Sequence, residues 1–290
     1  MSRAAALAAL SGDDSALACG ISWVPEGALA ALLAGTTTEG PADSLATVAR
    51  ALSLDVAFVP SEMPWARAAA ARLGEADTAV VWAVAGVLGR AGARLGWTEA
   101  IRLSAANPTA LTIALDEALH DTLVEVRAGI AAGADTILIA DELSGASGPL
   151  VSPDYALDAL MPCYHRCAGE INSEGVPALF HSDGDVRALM PALSRAGFAA
   201  IHLGGLSPEP FLASFASARS AGLIVLGGIE AAALIGGARR TGEHAAAAAL
   251  AGGLVVCDDG GMTTAEELTA FASAIDAARA AYELGKEHGA

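Results

Sequence analysis

The chain has 290 residues, of which 54% are hydrophobic and 17% charged, and its formal net charge is −17. This composition is typical of a folded protein with a large core, and the negative charge argues against a nucleic acid or an anionic membrane as partner. The four cysteines show no dense disulfide spacing, and no apolar run is long enough to span a membrane. The N-terminal segment lacks the apolar region of a signal peptide, so we expect a cytoplasmic protein.

Eight short β-type runs recur along the chain, each followed by an alanine-rich helical stretch. Most are continuous runs of Val, Ile, Leu and Ala, as expected for parallel strands covered on both faces. They span residues 18–25, 55–60, 78–86, 135–141, 176–184, 198–205, 222–230 and 252–261. Eight βα units predict a single α/β domain over residues 1–290, a (β/α)8 TIM barrel. The alternative, a doubly wound open sheet, lacks a strand–G-x-G-x-x-G–helix to support it.

The segment between the third and fourth strands is long enough to carry extra helix. Within it, residues 115–134 place Leu115, Leu119, Leu123, Val126 and Ile130 on one stripe, as in an amphipathic helix packed on a sheet. The sequence therefore predicts helix over 115–134 and additional helix within 87–134.

Polar and metal-binding residue types concentrate where the predicted strands end. These strand ends carry Asp141, Glu142, His181, Asp183, His202, Glu230, Cys257, Asp258 and Asp259. His181 and Asp183 alternate on one strand, so their side chains point the same way. A barrel holds its catalytic groups at the carboxyl ends of its strands, so we expect a functional site there.

Several segments between residues 130 and 260 resemble the uroporphyrinogen decarboxylase superfamily. The likeness is carried by the "GAD…D" strand at 133–141, the "L-x-S-P" loop with Leu150, Ser152 and Pro153, the helix with Pro162 and Tyr164, and "H-S-D-G" at 181–184. It is stronger to the cobalamin-dependent (corrinoid) methyltransferase branch than to the true decarboxylases. The resemblance implies a (β/α)8 barrel of uroporphyrinogen decarboxylase type.

The methyltransferase branch binds zinc through His-x-Cys after the fifth strand and a Cys after the eighth. The matching positions here are His181, Asp183 and Cys257, so an aspartate stands where the family has its first cysteine. Aspartate is an acceptable zinc ligand, and the set keeps its two negative charges. The resemblance thus implies a zinc site at these three residues.

The resemblance also implies a function. It predicts a zinc-dependent methyltransferase that moves a methyl group between a small-molecule donor or thiol acceptor and a corrinoid (cobalamin) carrier. The chain has no Asp-x-His-x-x-Gly segment of the kind that ligates cobalt in corrinoid proteins. A separate corrinoid methyl-carrier protein is therefore the expected partner, and whether the chain forms a homodimer stays open.

Other strand-end residues are assigned supporting roles. Asp141, Glu142 and Glu230 are candidate catalytic groups, and His202 and Ser152 are candidate substrate-binding groups. The competing interpretation for the two adjacent carboxylates is capping of a following helix. For His202 it is a histidine with its hydrogen bonds satisfied inside the barrel.

Two other readings of the chain remain. True decarboxylases carry an Arg-Gln-Ala-Gly-Arg segment near the N-terminus that holds the substrate carboxylates, and this chain has none. An acidic protein is also poorly suited to binding a polycarboxylate porphyrinogen. For these two reasons a tetrapyrrole decarboxylase is kept only as an alternative to the methyltransferase. A non-catalytic ligand-binding relative is the other alternative, and metal content separates it from a zinc enzyme.

Two motifs are interpreted as decoys. "CYHRC" at 163–167 places Cys163 and Cys167 on one helix face, with His165 about 200° away at roughly 100° per residue. The three side chains cannot converge on one ion, which favours helix packing. "GGARR" at 236–240 is read as a solvated helix face rather than an anion site.

Overall fold

The centre of the fold is a nearly closed ring of eight parallel strands. The structure, a computed structural model of the chain, describes residues 3–13, 16–145 and 148–288. The strands are β1 (Gly20–Ile21), β2 (Val56–Pro60), β3 (Ala79–Ala85), β4 (Thr136–Ala140), β5 (Ala178–Asp183), β6 (Ala200–Gly204), β7 (Ile224–Ile229) and β8 (Leu254–Asp258). Each pairs in parallel with the next in chain order. All eight lie within the predicted ranges, so the (β/α)8 barrel is confirmed.

The ring closes at a narrow seam between β8 and β1. One parallel bridge joins Cys19 to Val256, and the Val256 amide donates to the carbonyl oxygen of Ala18 at 2.9 Å. Above the bridge, the Ser22 amide donates to Oδ1 of Asp258 at 2.7 Å, and the Ser22 hydroxyl donates to Oδ2 of the same carboxylate. A buried side chain therefore completes the hydrogen bonding that the two short strand ends leave open.

Helices cover the outside of the ring. They are α1 (Arg3–Leu10), α2 (Glu26–Leu32), α3 (Pro41–Ala51), α4 (Ala66–Glu75), α5 (Val87–Leu95), α6 (Trp97–Ala106), α7 (Pro108–Ala131), α8 (Pro153–Tyr155), α9 (Met161–Ser173), α10 (Met190–Ala196), α11 (Pro208–Ser220), α12 (Ala238–Leu250) and α13 (Ala265–Glu287). A π-helical turn, Ala156–Leu160, joins α8 to α9. None of the helices in the described ranges is both long and apolar enough to cross a bilayer.

The extra helix expected before the fourth strand is present as α5, α6 and α7. In the predicted stripe, Leu115, Leu119, Leu123 and Val126 are buried, and Ile130 is partly buried against the same core. However, α7 begins at Pro108, seven residues before the predicted start. The Asn107 side chain accepts a hydrogen bond from the Ala110 amide at 3.3 Å, and proline is well suited to the first turn of a helix.

The core has two parts. A larger layer lies between the strands and the surrounding helices, and a smaller one fills the barrel interior. Interior side chains include Phe58, Leu138, Leu179 and Cys257, and α1 packs its apolar residues into the same cluster. The small residues of α1 therefore belong to the interior core. At the carboxyl ends of the strands, the side chains that continue the inward-facing rows form the mouth of the barrel.

Candidate functional site

A cavity of about 400 Å³ lies at the carboxyl ends of the strands. Its lining includes Trp23 after β1, Glu62 after β2, Glu142 after β4, Asp183 at the end of β5 and Asp259 after β8. Among the described lining residues there are four carboxylates and neither a lysine nor an arginine. This mouth cavity is therefore strongly acidic, which favours a cationic ligand over an anionic one.

The floor of the mouth cavity is aromatic. The ring centroid of Trp23 lies 4.7 Å from that of His181 and 5.4 Å from that of His202. The ring of Phe58 packs edge-on against Trp23 and His202, with centroid separations of 5.3 Å and 5.0 Å respectively. An indole ring beside several carboxylates attracts a cation both through the ring quadrupole and through charge.

The protonation of the two histidines follows from their hydrogen bonds. His202 Nε2 lies 2.8 Å from the backbone carbonyl oxygen of Asp258, which can only accept, so Nε2 carries the proton. Burial lowers the pKa of His202 to about 4, so the ring is neutral at pH 7 and its Nδ1 accepts. His181 Nδ1 therefore donates to His202 Nδ1, at 2.8 Å.

This arrangement leaves a lone pair on His181 Nε2. Burial lowers the pKa of His181 well below its ordinary value, and the neighbouring His202 lowers it further, so this ring is neutral too. With its proton on Nδ1, the ring presents an unprotonated Nε2 that lies 3.6 Å from Asp183 Oδ1. His181 lines the mouth cavity, so this nitrogen can accept a proton or bind a cation there.

Gly204 permits the close approach of Asp183 and His181. A Cβ atom at this position would lie 2.1 Å from Asp183 Oδ1 and 2.9 Å from His181 Cε1. Contacts this short require the neighbouring atoms to move. A glycine at the end of β6 is therefore needed for the site to keep its geometry.

Three carboxylates of the mouth cavity affect one another. Burial raises the pKa of Asp183, and the nearby Asp259 carboxylate raises it further. Burial also raises the pKa of Asp259 and of Glu142, and Asp183 adds to the effect on Glu142. The backbone amide of Asp183 donates to Glu142 Oε2 at 3.3 Å, which holds the Glu142 carboxylate against the end of β5. A cation bound among them would relieve this repulsion.

The three residues that the resemblance assigns to zinc are not brought together. His181 and Asp183 both line the mouth cavity, but Cys257 is fully buried in the barrel interior, with its Sγ 3.7 Å from Asp258 Oδ1. Burial raises the pKa of the Cys257 thiol well above its ordinary value, so in the absence of a metal the sulfur is protonated. Within the described ranges, no three His, Cys, Asp or Glu side chains form a group able to hold a metal ion. The predicted ligand set does not fit this arrangement.

Asp141 points away from the mouth cavity. Its carboxylate accepts hydrogen bonds from the backbone amides of Leu88 at 2.8 Å and Gly89 at 2.7 Å, in the first turn of α5, and from the Tyr164 hydroxyl at 2.8 Å. Burial raises the pKa of Asp141 to about 6. The neighbouring Glu142 faces the cavity instead, because successive residues at a strand end point in opposite directions. The geometry supports helix capping for Asp141 and a site role for Glu142.

Three further predicted residues lie outside the mouth cavity. Glu230 lines a different cavity, between α11 and α12. Ser152 is exposed, and its Oγ accepts a hydrogen bond from the Tyr155 amide at 3.1 Å as the N-cap of α8. His202 is fully buried beneath His181. The geometry favours capping for Ser152 and support of His181 for His202, while their predicted substrate contacts stay predictions.

Both decoy motifs have the structure predicted for them. Cys163 and Cys167 are buried on one face of α9, and His165 is exposed on another. In the second motif, Arg239 is exposed on α12 and pairs with Glu243 at 2.8 Å. Neither motif contributes to the mouth cavity.

Trp23, Glu62 and Asp259 line the site without having been selected as site residues. Each follows a strand in the sequence, and that position was the available signal. For Asp259 the signal was stronger, since it continues the inward-facing row of Val255 and Cys257 on β8. The predicted zinc site instead includes Cys257, which lies two residues before Asp259 in the same inward-facing row and is buried.

Comparison with known proteins identifies the family. A methyltransferase from Methanosarcina mazei shares the fold with a TM-score of 0.67 at 19% identity, over 93% of this chain and 97% of that one. A chitinase from Chromobacterium violaceum gives a TM-score of 0.53 at 11% identity, over 89% and 99% of the two chains. The search of curated proteins gave no match. The sequence model of the uroporphyrinogen decarboxylase (URO-D) family matches residues 78–258 of the 290, so the chain belongs to that family.

Proposed function

We propose that this chain is a methyltransferase that moves a methyl group between a cationic small molecule and a corrinoid carried by a separate protein. The observation that carries the proposal is the acidic mouth cavity, with four carboxylates and no lysine or arginine in its described lining. Membership of the URO-D family and the fold shared with the Methanosarcina mazei methyltransferase support the reaction class.

The charge of the mouth cavity distinguishes methyl donors from tetrapyrroles. A methyl group on a quaternary ammonium or sulfonium centre sits on a positive heteroatom, which the carboxylates attract. A porphyrinogen with several carboxylates would meet uncompensated negative charge in the same place. The cavity therefore favours an onium donor over the polyanionic substrate of a tetrapyrrole decarboxylase.

Four residues of the mouth cavity have a role in binding the donor. A corrinoid, when bound, supplies a nucleophilic cobalt centre for the methyl group. Asp183, Asp259 and Glu142 surround the positive heteroatom, and Trp23 offers its ring face to the remaining alkyl groups. The heteroatom keeps the electron pair of the broken bond and leaves as a neutral amine or thioether.

No step is assigned to zinc. His181 and Asp183 are available to a metal at the mouth, but the buried Cys257 thiol does not join them. The zinc content of the purified protein is therefore measured independently of its methyl transfer.

The test is a corrinoid methylation assay. Reduced corrinoid is mixed with the protein and with choline, a methylated amine or a sulfonium donor, and cobalt absorbance is followed. Asp183→Asn should lower the initial rate at least tenfold. Asp185→Asn is the matched control, because Asp185 lies two residues away, is exposed and pairs with Arg187. Carbon dioxide release from uroporphyrinogen without any corrinoid response would overturn the proposal in favour of a decarboxylase.

A further inference from the structure

A second cavity, of about 470 Å³, lies between α11 and α12. We call it the helix-gap cavity. Its walls are mainly apolar and include Phe211, Leu212 and Phe215 from α11 and Ala245 and Ala248 from α12. Small-molecule sites typically have a volume of this order and a mostly apolar lining with a few polar groups.

Two consecutive glycines bring the backbone of β7 against this cavity. Gly227 has φ 142° and Gly228 has φ 95°, conformations that side-chain-bearing residues rarely adopt. A Cβ atom on Gly227 would lie 3.1 Å from a ring carbon of Phe211. Because neither glycine carries a side chain, the space between Phe211 and Ala245 is not filled from the strand side.

The helix-gap cavity adjoins the mouth cavity. Asp259 lines both, and the consecutive residues Gly205 and Leu206 line the mouth cavity and the helix-gap cavity respectively. The described charged lining of the helix-gap cavity consists of Glu209, Glu230 and Asp259, again without a lysine or an arginine. One molecule with a positive end and an apolar body matches the two cavities together.

We propose that the helix-gap cavity binds the apolar part of an amphipathic cation whose methyl-bearing onium group occupies the mouth cavity. This inference rests on the proposed function and adds to it the class of substrate: an onium carrying an alkyl chain or other apolar group of several carbons. The charge of both cavities excludes an anionic amphiphile such as a fatty acid or a phosphate ester. Because Asp259 lines both cavities, the bond between the onium group and the apolar part of the ligand should lie beside this residue.

The experiment measures binding of a homologous series by calorimetry. The probes run from tetramethylammonium through butyltrimethylammonium and hexyltrimethylammonium to octyltrimethylammonium. Burial of each methylene should tighten binding about fourfold until the helix-gap cavity is filled. Ala248→Phe, which fills the cavity, should abolish this chain-length gain and leave tetramethylammonium binding unchanged. Ala216→Phe is the matched control, because Ala216 is exposed on α11 outside the cavity.

A surface substitution guards against misfolding of the filled variant. Leu212 is 53% exposed and lines the cavity, so Leu212→Asn should fold and, without adding a charge, weaken octyltrimethylammonium binding at least tenfold, with tetramethylammonium unaffected. The inference is overturned if affinity does not rise with chain length while tetramethylammonium binds. A chain-length gain that survives both Ala248→Phe and Leu212→Asn overturns it as well. If no member of the series binds, the cation preference of the proposed function fails, and this inference fails with it.

Discussion

The Nδ1 atoms of His181 and His202 lie 2.8 Å apart, and His181 supplies the proton between them. The carbonyl oxygen of Asp258 fixes this direction, since it requires the proton of His202 to be on Nε2. A backbone carbonyl below the site thus determines which nitrogen of His181 carries the proton, and leaves its Nε2 unprotonated. In metal and catalytic sites, such an outer partner commonly orients a functional imidazole.

The buried histidine pair predicts sensitivity to acid. Below pH 6.5 the unfolded chain binds protons at both histidines, whereas native His202 stays neutral down to its pKa of about 4. Stability should therefore fall as the pH drops from 6.5 to about 4, by about 3 kcal/mol for His202 alone. In His202→Gln, whose amide can donate to Asp258 and accept from His181, urea unfolding should show a fall smaller by about this amount. The same change at exposed His165 should leave the wild-type profile intact, and identical profiles for His202→Gln and wild type would contradict a neutral pair.

The repulsion among the mouth carboxylates predicts a pH dependence of cation binding. Burial raises the pKa of Asp183 and of Asp259, and each must be ionised to attract a cation. Affinity for choline should therefore fall on acidification, starting at a higher pH than ordinary aspartates titrate. Calorimetry in two buffers should also show proton release on binding, because a bound cation lowers both pKa values. The uncharged isostere 3,3-dimethylbutan-1-ol should bind with no such dependence, and equal pH profiles for the two ligands would count against the acidic site.

The position of Cys257 predicts the outcome of zinc analysis. Its thiol is buried in the barrel interior below Asp259, so Cys257→Ala should not lower the zinc content of protein purified without chelator. His181→Ala should remove any zinc that wild type retains, because its Nε2 faces the mouth. Elemental analysis of the two variants and wild type decides the matter. Loss of zinc in Cys257→Ala, with normal thermal unfolding, would instead support the three-ligand set that the family resemblance implies.

The contacts of Asp141 predict a structural role. Asp141→Ala removes the acceptor for two α5 amides and the Tyr164 hydroxyl, and should lower the free energy of unfolding by about 2–4 kcal/mol. Choline affinity should stay within twofold of wild type, because the side chain does not line the mouth cavity. Tyr164→Phe removes one of the three hydrogen bonds and should cost about 1 kcal/mol. A large loss of affinity in a stably folded Asp141 variant would return this residue to the catalytic set.

The fold could be predicted from the sequence because buried parallel strands consist of continuous apolar runs. In β5 the apolar run Ala178–Phe180 indicates a strand, and the alternation of side chains along it places His181 and Asp183 on the same side. The pattern does not indicate which side of the strand faces the mouth cavity. Whether a strand-end residue faces the mouth depends on its position in the inward-facing row. Asp141 and Glu142 are adjacent in sequence, yet only Glu142 faces inward.

Relationships across the barrel were not accessible from sequence. Trp23 and Glu62 follow β1 and β2, about 120 residues or more from His181 in sequence, and no local pattern relates them to it. Ring closure brings them to the same cavity. The proton direction in the histidine pair likewise depends on the backbone of β8. The start of α7 was misplaced for a local reason, since a helix may open with proline when the preceding asparagine caps it.

The short ladders on either side of β1 have a consequence for local unfolding. β1 has two paired residues against β2 and one bridge to β8, whereas β3 has five paired residues on each side. Segments with fewer protecting hydrogen bonds open first, so the amide of Ser22 should exchange with deuterium ahead of those of β3. Trp23 follows β1 directly and lines the mouth cavity. A ligand that packs against the Trp23 indole should therefore stabilise the seam between β1 and β8. Ligand binding should slow amide exchange around Ser22, even though the ligand forms no hydrogen bond with that residue.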